Sequence, residues 1–174
     1  MDGRIIINIS GKSTSGKTTL MRELASRNIG WYSLFRDRVK KQFSGYSRER
    51  DREVIEKVVF GFYCVLCEKG LPILLDASID TRDAYSEYLK VAEKNHYKFL
   101  SINLDIPQGV ALKRFRERVR RAKDQGDKIS VTDEDTFLRN QNKEHFYPSD
   151  ALSFDTSRLT VEEIASDIMD KIVL

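Results

Sequence analysis

A glycine-bearing segment directly after an apolar run constrains the fold of this chain more than any other feature. The apolar run covers residues 5–9, and the segment at 11–18 reads Gly-Lys-Ser-Thr-Ser-Gly-Lys-Thr. It matches the pattern G-x-x-x-x-G-K-[ST], which binds phosphate when it connects a buried strand to a helix. Gly makes up about 7% of average proteins, so a chance match of this pattern is rare. The sequence therefore predicts nucleotide binding at the carboxyl end of the first strand.

The residue types in this segment suit a nucleoside triphosphate and Mg²⁺. Backbone N–H groups of residues 12–18 are expected to point at phosphate oxygens, aided by the positive end of the helix dipole. Lys17 is predicted to reach the β- and γ-phosphates as a catalytic cation, and Thr18 to bind Mg²⁺. The residues predicted here to bind ATP are Gly11, Lys12, Ser13, Thr14, Ser15, Gly16, Lys17, Thr18 and Thr19.

Apolar runs typical of buried strands alternate along the chain with segments of helical periodicity. Strands are predicted at residues 4–9, 31–35, 71–75, 99–104 and 152–154, and helices at 18–28, 48–69, 81–95 and 108–123. A capping box formed by Thr160 and Glu163 predicts the start of a last helix. This alternation predicts an α/β fold, a three-layer sandwich with a mainly parallel five-stranded sheet.

Length and composition predict one globular domain spanning residues 1–174. A chain of 174 residues has the usual size of one domain, and 40% apolar with 33% charged residues excludes a disordered class. A net charge of +3 is too small to indicate nucleic-acid binding by itself.

The most apolar stretch, residues 58–67, is predicted to be a core helix because it is about half as long as the ~20 residues of a membrane span. Its Cys64 and Cys67 have C-x-x-C spacing, but no second cysteine pair exists, so they are predicted to be core residues. The phosphate-binding segment begins too early for a signal peptide. We therefore expect a cytoplasmic protein without a membrane segment.

Two classes of nucleotide-binding protein lack support in the sequence. A GTPase should carry Asn-Lys-x-Asp after a strand, whereas the nearest string, Asn-Lys-Glu-His at 142–145, lacks the aspartate and is predicted to lie in a helix. A motor ATPase needs an appended helical domain, for which this length leaves no room. A small phosphotransferase is the class that the sequence favours.

Several segments resemble the kinase domain of 5′-hydroxyl polynucleotide kinases. They are Gly-Trp-Tyr-Ser-Leu-Phe-Arg-Asp-Arg-Val-Lys at 30–40, Leu-Leu-Asp-Ala-Ser at 74–78, Leu-Asp-Ile-Pro at 104–107 and Lys-Arg-Phe-Arg-Glu-Arg at 113–118. The resemblance runs from about residue 4 to about residue 120. Residues 154–157 are similar to the wider group of small P-loop kinases, which includes nucleoside monophosphate kinases.

The resemblance implies roles on the acceptor side of such a kinase. Asp37 matches the general base, which accepts the proton of the attacking hydroxyl. A helix N-cap, or an ion pair with Arg36 or Arg38, is the alternative for this carboxylate. Arg38 and Lys40 are then expected to hold a phosphate of the acceptor strand, with Ser78 as a further substrate contact.

The resemblance also implies roles around the triphosphate. Asp76 ends an apolar strand, where a carboxylate is expected to hold Mg²⁺ together with Thr18. Arg118 matches the catalytic lid arginine that stabilises the transferring charge, and Arg114 and Arg121 are further ATP-binding candidates. The polar segment that follows predicts a mobile lid at about residues 114–132, a length typical of nucleoside monophosphate kinases.

The sequence thus predicts an ATP- and Mg²⁺-dependent phosphotransferase whose acceptor is the 5′-hydroxyl of a DNA or RNA end. A nucleoside monophosphate or a small metabolite is the alternative acceptor. A nucleotide-binding regulatory switch, with no phosphorylated acceptor, is the alternative from a different class.

Overall fold

Alternating strands and helices build one parallel sheet between two helical layers in this computed structural model, which describes residues 4–27, 30–77, 79–126, 129 and 131–173. The strands are β1 (Ile5–Gly11), β2 (Tyr32–Phe35), β3 (Ile73–Asp76), β4 (Lys98–Asp105) and β5 (Leu152–Asp155). The helices are α1 (Lys17–Arg27), α2 (Arg36–Lys41), α3 (Arg48–Glu68), α4 (Arg82–Lys94), α5 (Gln108–Gln125), α6 (Glu134–Gln141) and α7 (Val161–Val173).

The strand order β2-β3-β1-β4-β5 places β1 at the centre of the sheet. All four strand pairs are parallel; Ile6 of β1, for example, is in register with Ile73 of β3 and Phe99 of β4. The carboxyl ends of parallel strands lie at one edge, so β1 delivers the phosphate-binding segment to the same edge as the ends of β2 and β3. The predicted three-layer α/β fold with five strands is confirmed.

Side-chain alternation on β1 divides the core into two halves. Ile5, Ile7 and Ile9 pack with residues of α1 and α7 on one face of the sheet. Ile6 faces the other way and packs with residues of α3 and α4, among them Tyr63. Burial on both faces explains why the strand is a nearly continuous apolar run in the sequence.

The last helix begins as the sequence predicts. Thr160 Oγ1 accepts a hydrogen bond from the Glu163 backbone N–H at 3.2 Å, and Glu163 Oε2 accepts one from the Thr160 backbone N–H at 2.8 Å. This reciprocal pair is the predicted capping box. The predicted apolar helix is also present as α3, in which Cys67 is buried and Cys64 half-buried, both as free thiols.

Two short helices, α2 and α6, are absent from the sequence prediction. The six residues of α2 are too few to show a helical period, and α6 is only eight residues long. The start of α6 is fixed by Asp133, whose carboxylate accepts from the Thr136 backbone N–H at 2.7 Å. The predicted helical state of residues 142–145 is wrong, because α6 ends at Gln141.

Helices α5 and α6 form a small unit with its own apolar contact. The rings of Phe115 and Phe137 stack with centroids 4.2 Å apart, and Arg116 binds Glu134 through two hydrogen bonds of 2.7 and 2.9 Å. This unit covers most of the predicted lid at 114–132, of which residues 127, 128 and 130 lie outside the described residues. Among the helices of the described chain, none is long and apolar enough to cross a membrane.

Candidate active site

The phosphate-binding segment, called here the phosphate loop (residues 11–18), turns sharply between β1 and α1. Gly11 has a φ of 143°, and a Cβ atom there would lie 2.6 Å from the Leu104 carbonyl oxygen. Gly16 also has a positive φ, of 97°. Positive φ angles and a close backbone approach both favour glycine, so each glycine of the sequence pattern has a structural reason.

Lysines of the loop are held by main-chain oxygens. Lys17, the first residue of α1, donates from Nζ to the carbonyl oxygens of Gly11 at 2.7 Å and Lys12 at 3.1 Å. Both partners are neutral carbonyl oxygens of the loop itself, so these two hydrogen bonds place the ammonium group beside the loop. Lys12 donates from its own Nζ to the main-chain oxygen of Gln141 at the end of α6.

Two clefts border this loop. The larger, of 590 Å³, lies beside α5 and is called the α5 cleft; loop residues 13–18 and Thr19 line it. The smaller, of 320 Å³, lies beside α2 and is called the α2 cleft; Gly11, Lys12 and Ser13 contribute to its wall. All predicted ATP-binding residues of the loop therefore border one cleft or the other.

Four residues line both clefts: Ser13, Lys17, Asp37 and Asp76. Lys17 begins α1, Asp37 lies in the first turn of α2 at the end of β2, and Asp76 ends β3. The carboxyl ends of neighbouring parallel strands bring them together. A group bound at this junction is accessible from both sides, which is the arrangement that transfer between two bound molecules requires.

Neighbouring charges at the junction act on the Asp76 carboxylate. Desolvation of the Asp76 carboxylate raises its pKa, Lys17 acts in the opposite direction, and the nearby carboxylate of Asp37 raises it further. A desolvated carboxylate with a like-charged neighbour is stabilised by an added cation.

The residues at the junction fit Mg²⁺. Thr18 and Asp76 both line the α5 cleft and supply hydroxyl and carboxylate oxygens, the hard donors that Mg²⁺ prefers. In the described part of the chain no group of three or more His, Cys, Asp or Glu side chains could hold a metal by itself. If Mg²⁺ bound here, phosphate oxygens and water would have to complete its coordination, as is usual for Mg²⁺ bound with a nucleotide.

The arginines of helix α5 lie in different surroundings. Arg114, Arg118 and Arg121 line the α5 cleft, whereas Arg116 faces away and pairs with Glu134. Desolvation lowers the pKa of Arg118, and Asp37, which lines the same cleft, acts in the opposite direction. The three sequence candidates share one face of the helix.

Arg114 has a structural partner on each side. It donates to the Thr156 carbonyl oxygen at 2.6 Å, to Thr156 Oγ1 at 3.2 Å and to the Thr14 carbonyl oxygen at 3.4 Å. The guanidinium therefore connects the phosphate loop to the segment after β5. Its predicted contact with ATP stays a prediction.

Of the residues predicted to act on the acceptor, Asp37 and Lys40 line the α2 cleft. Asp37 is not an N-cap, since Phe35 occupies that position of α2, and Arg36 pairs with Glu56 at 3.6 Å.

Lys40 lines the α2 cleft with its Nζ 4.6 Å from the centroid of the Tyr46 ring. Arg38 lies over the Phe35 ring at 4.3 Å and is not among the described residues that line either cleft. Ser78 lies outside the described residues.

The α2 cleft also contains residues that the sequence analysis did not single out. The segment between α6 and β5 forms one wall, where His145 Nδ1 lies 3.3 Å from Asp80 Oδ1 and the Phe146 backbone N–H donates to the Asp80 carbonyl oxygen at 3.3 Å. Further residues that line this cleft are Tyr46, Arg52, Lys143 and Tyr147. The aromatic run His-Phe-Tyr at 145–147 is the one local signal that could have indicated them.

A protein-family model described as an AAA domain matches residues 6–146. The chain belongs to this AAA domain family. The matched range of this AAA domain chain contains the phosphate loop, Asp37, Asp76 and the arginines of α5. No curated protein matches the sequence.

Solved structures of kinases share the fold of this AAA domain chain over nearly their whole length. The APS kinase CysC of Mycobacterium tuberculosis, in complex with AMPPNP and APS, is 17% identical with a TM-score of 0.67, and 100% of each chain is covered. A sugar kinase from Janibacter sp. is 17% identical with a TM-score of 0.62, covering 97% of this chain and 94% of its own. A proposed kinase from Chloroflexus aurantiacus is 16% identical with a TM-score of 0.71, covering 97% and 98%. The chain thus has a kinase-like P-loop fold.

Proposed function

We propose that this protein is a kinase that transfers the γ-phosphate of ATP to a hydroxyl group with the help of Mg²⁺. The observation that carries the proposal is the junction of the two clefts, where Lys17, Asp37 and Asp76 line both. ATP is assigned to the α5 cleft, because the loop and three arginines line it. The acceptor is assigned to the α2 cleft.

The transfer step follows from the groups at the junction. Asp37 accepts the proton of the acceptor hydroxyl as its oxygen forms a bond to the γ-phosphorus. The bond between the γ-phosphorus and the β–γ bridging oxygen breaks, and ADP leaves. Lys17 and Arg118 stabilise the charge on the transferring group. Thr18 and Asp76 would hold Mg²⁺, which when bound would supply positive charge to the phosphates.

A small acceptor fits the α2 cleft best. The cleft volume of 320 Å³ is at the lower end of the roughly 300–1,000 Å³ typical of small-molecule sites. Its walls combine cations such as Lys40 and Lys143 with the rings of Tyr46, Phe146 and Tyr147. This lining suits a hydroxyl compound that carries an anionic group or a planar ring, such as a nucleotide or a small metabolite. Two structural neighbours, an APS kinase and a sugar kinase, have names that indicate acceptors of that size.

The 5′-hydroxyl of a DNA or RNA end is the second candidate acceptor. It is favoured by Asp37 and Lys40, which both line the α2 cleft and are the residues that the resemblance assigns to the base and to an acceptor phosphate. The cleft volume of 320 Å³ is small, so we expect only the terminal nucleotide of such a strand to enter it.

The test is phosphate transfer from γ-labelled ATP with Mg²⁺ to a panel of acceptors. The panel contains nucleosides, nucleoside monophosphates, sugars, and DNA and RNA oligonucleotides with 5′-hydroxyl ends. We expect label on a small acceptor, and loss of that label with Asp37→Asn but not with the exposed control Asp83→Asn. Label on no acceptor, despite tight ATP binding, would contradict the kinase proposal and favour a nucleotide-binding switch.

Ionic strength separates the two acceptor classes. Binding of an oligonucleotide releases counterions, so its affinity should fall steeply as salt rises. Use of a small acceptor should change far less over the same range of salt, because few charges are neutralised. Preferred labelling of oligonucleotide ends with a steep salt dependence would replace the small-acceptor assignment by the second candidate.

A further inference from the structure

The main-chain oxygens of the phosphate loop need hydrogen-bond partners of their own. A loop that points its N–H groups inward directs many of its carbonyls outward, and buried carbonyls are costly to leave unpaired. Lys17 serves those of Gly11 and Lys12, and Arg114 serves that of Thr14. The remaining carbonyl among residues 11–14, that of Ser13, accepts from Gln141 Nε2 at 2.9 Å.

Gln141 makes two hydrogen bonds to the loop, one through its side chain and one through its main chain. Its side chain donates to Ser13, and its own main-chain oxygen accepts from the ammonium group of Lys12. The residue is only 4% exposed, although it is polar and ends a short surface helix. The Thr14 hydroxyl also lies 2.5 Å from the Ser13 oxygen, but it is 3.1 Å from the Ala111 oxygen and has one proton to donate. Gln141 is thus the donor to Ser13 from outside the loop.

Helix α6, which carries Gln141, is attached to α5 by a ring contact and an ion pair. Phe137 of α6 is 1% exposed and stacks on Phe115 of α5, and Glu134 pairs with Arg116. The same α5 presents Arg114 to the Thr14 carbonyl oxygen. Consecutive loop residues are therefore fixed by the α5–α6 unit, at a distance of more than 90 residues along the chain.

We infer that Gln141 is a positioning residue that holds the phosphate loop in its phosphate-binding shape and so sets nucleotide affinity without contacting the nucleotide. Of the described side chains that line the α2 and α5 clefts, Gln141 is not one. The inference rests on the proposed function, since it requires that phosphates bind at the loop. Gln141 is not proposed to contact the acceptor or to take part in phosphoryl transfer.

Loss of the Gln141 donor is expected to lower the fraction of molecules whose phosphate loop can bind phosphate. Without the Gln141 donor, the Ser13 carbonyl gains by turning toward water or toward other donors, and the loop then adopts shapes that cannot bind phosphate. The apparent dissociation constant of a ligand rises in inverse proportion to the fraction of competent protein. If about one molecule in ten keeps the competent shape, affinity falls about tenfold.

The experiment measures binding of Mg²⁺·AMPPNP by calorimetry, together with thermal unfolding. Gln141→Leu removes the donor at similar volume, and we expect about tenfold weaker binding. Gln141→His restores an N–H donor at a similar reach, so we expect most of the affinity to return. Arg139→Gln is the control and should bind as the wild type does, because this exposed side chain of the same helix hydrogen-bonds Thr136 and interacts with Asp133, both outside the loop.

The outcomes separate the inference from the proposed function. Wild-type protein that fails to bind Mg²⁺·AMPPNP would contradict the assignment of ATP to the loop, and the inference with it. Wild-type binding with an unchanged dissociation constant for Gln141→Leu would overturn the inference alone, whether or not the unfolding temperature falls. Equal losses for Gln141→Leu and Gln141→His would overturn it too, because a restored donor must restore affinity.

Discussion

The carboxylate of Asp37 raises the pKa of Asp76 across the junction of the α2 and α5 clefts. The two groups differ in surroundings, since Asp37 is an exposed residue in the first turn of α2 whereas the Asp76 carboxylate is desolvated at the end of β3. Lys17 lies within reach of Asp76 and opposes this shift. Such a difference suits separate roles, a proton acceptor for Asp37 and a cation ligand for Asp76.

Replacement of Lys17 tests the phosphate loop itself. Its ammonium is held by the Gly11 and Lys12 oxygens and lines both clefts. We expect Lys17→Ala to lower kcat on the order of 100-fold or more, because a positioned charge that stabilises the transferring group is lost. The measurement is ADP release at saturating acceptor, with the exposed Lys113→Ala as control. Near-normal turnover in Lys17→Ala would remove the assignment of this lysine to catalysis.

Replacement of Asp37 separates chemistry from ATP binding. Asp37→Asn keeps the shape of the side chain but cannot accept the hydroxyl proton. We expect kcat to fall by roughly 10²–10⁴-fold, the usual contribution of a general base. The dissociation constant for Mg²⁺·AMPPNP should change little, since the lost group acts on the acceptor. Loss of nucleotide binding instead would indicate a structural role for Asp37.

Replacement of Asp76 should stabilise the nucleotide-free protein while it abolishes activity. Desolvation raises the pKa of Asp76, so its ionised form is less favourable in the folded than in the unfolded chain. The stability that this group contributes is complete below the ordinary pKa of Asp and is lost as pH rises through the raised value. At neutral pH, Asp76→Asn is therefore expected to be more stable, by roughly 1 kcal/mol, as is typical when a strained functional group is removed.

Urea unfolding of both proteins at neutral and at acidic pH checks this prediction. The difference in the free energy of unfolding should be largest at neutral pH and should shrink as pH falls, because the wild-type carboxyl becomes protonated. The Lys17 ammonium keeps its bonds to the Gly11 and Lys12 oxygens in the variant. A less stable Asp76→Asn at neutral pH would mean that attraction between Asp76 and Lys17 outweighs desolvation.

The sequence was sufficient for the features that depend on neighbouring residues. The phosphate loop follows from one local pattern, and the strand before it from an apolar run that is buried on both faces. The capping box of α7 joins residues only three positions apart, Thr160 and Glu163. Such features can be predicted from the sequence because their residues are close along the chain and meet whatever the rest of the fold is.

Features that depend on distant pairs could not be predicted in the same way. The α2 cleft joins Tyr46 and Asp80 to His145, and no local pattern indicates that residues so far apart share a wall. The contact of Gln141 with Ser13 spans 128 positions and involves a helix of eight residues, too short for a clear hydrophobic period. The five arginines of residues 113–123 have similar sequence surroundings, so only the packing of α5 separates them.

That separation supports a matched test on one helix. Both Arg118 and Arg120 are exposed, but Arg118 lines the α5 cleft, as Asp37 does, whereas Arg120 is not among the described residues that line either cleft. We expect Arg118→Met to lower kcat by about 10³-fold, the lower end of the range for an arginine that stabilises a transferring phosphoryl group. Arg120→Met removes the same charge from the same helix and should leave kcat within about twofold, as expected for a surface change away from the site. Equal losses in the two variants would show that the net charge of α5 matters and that neither guanidinium acts at the γ-phosphate.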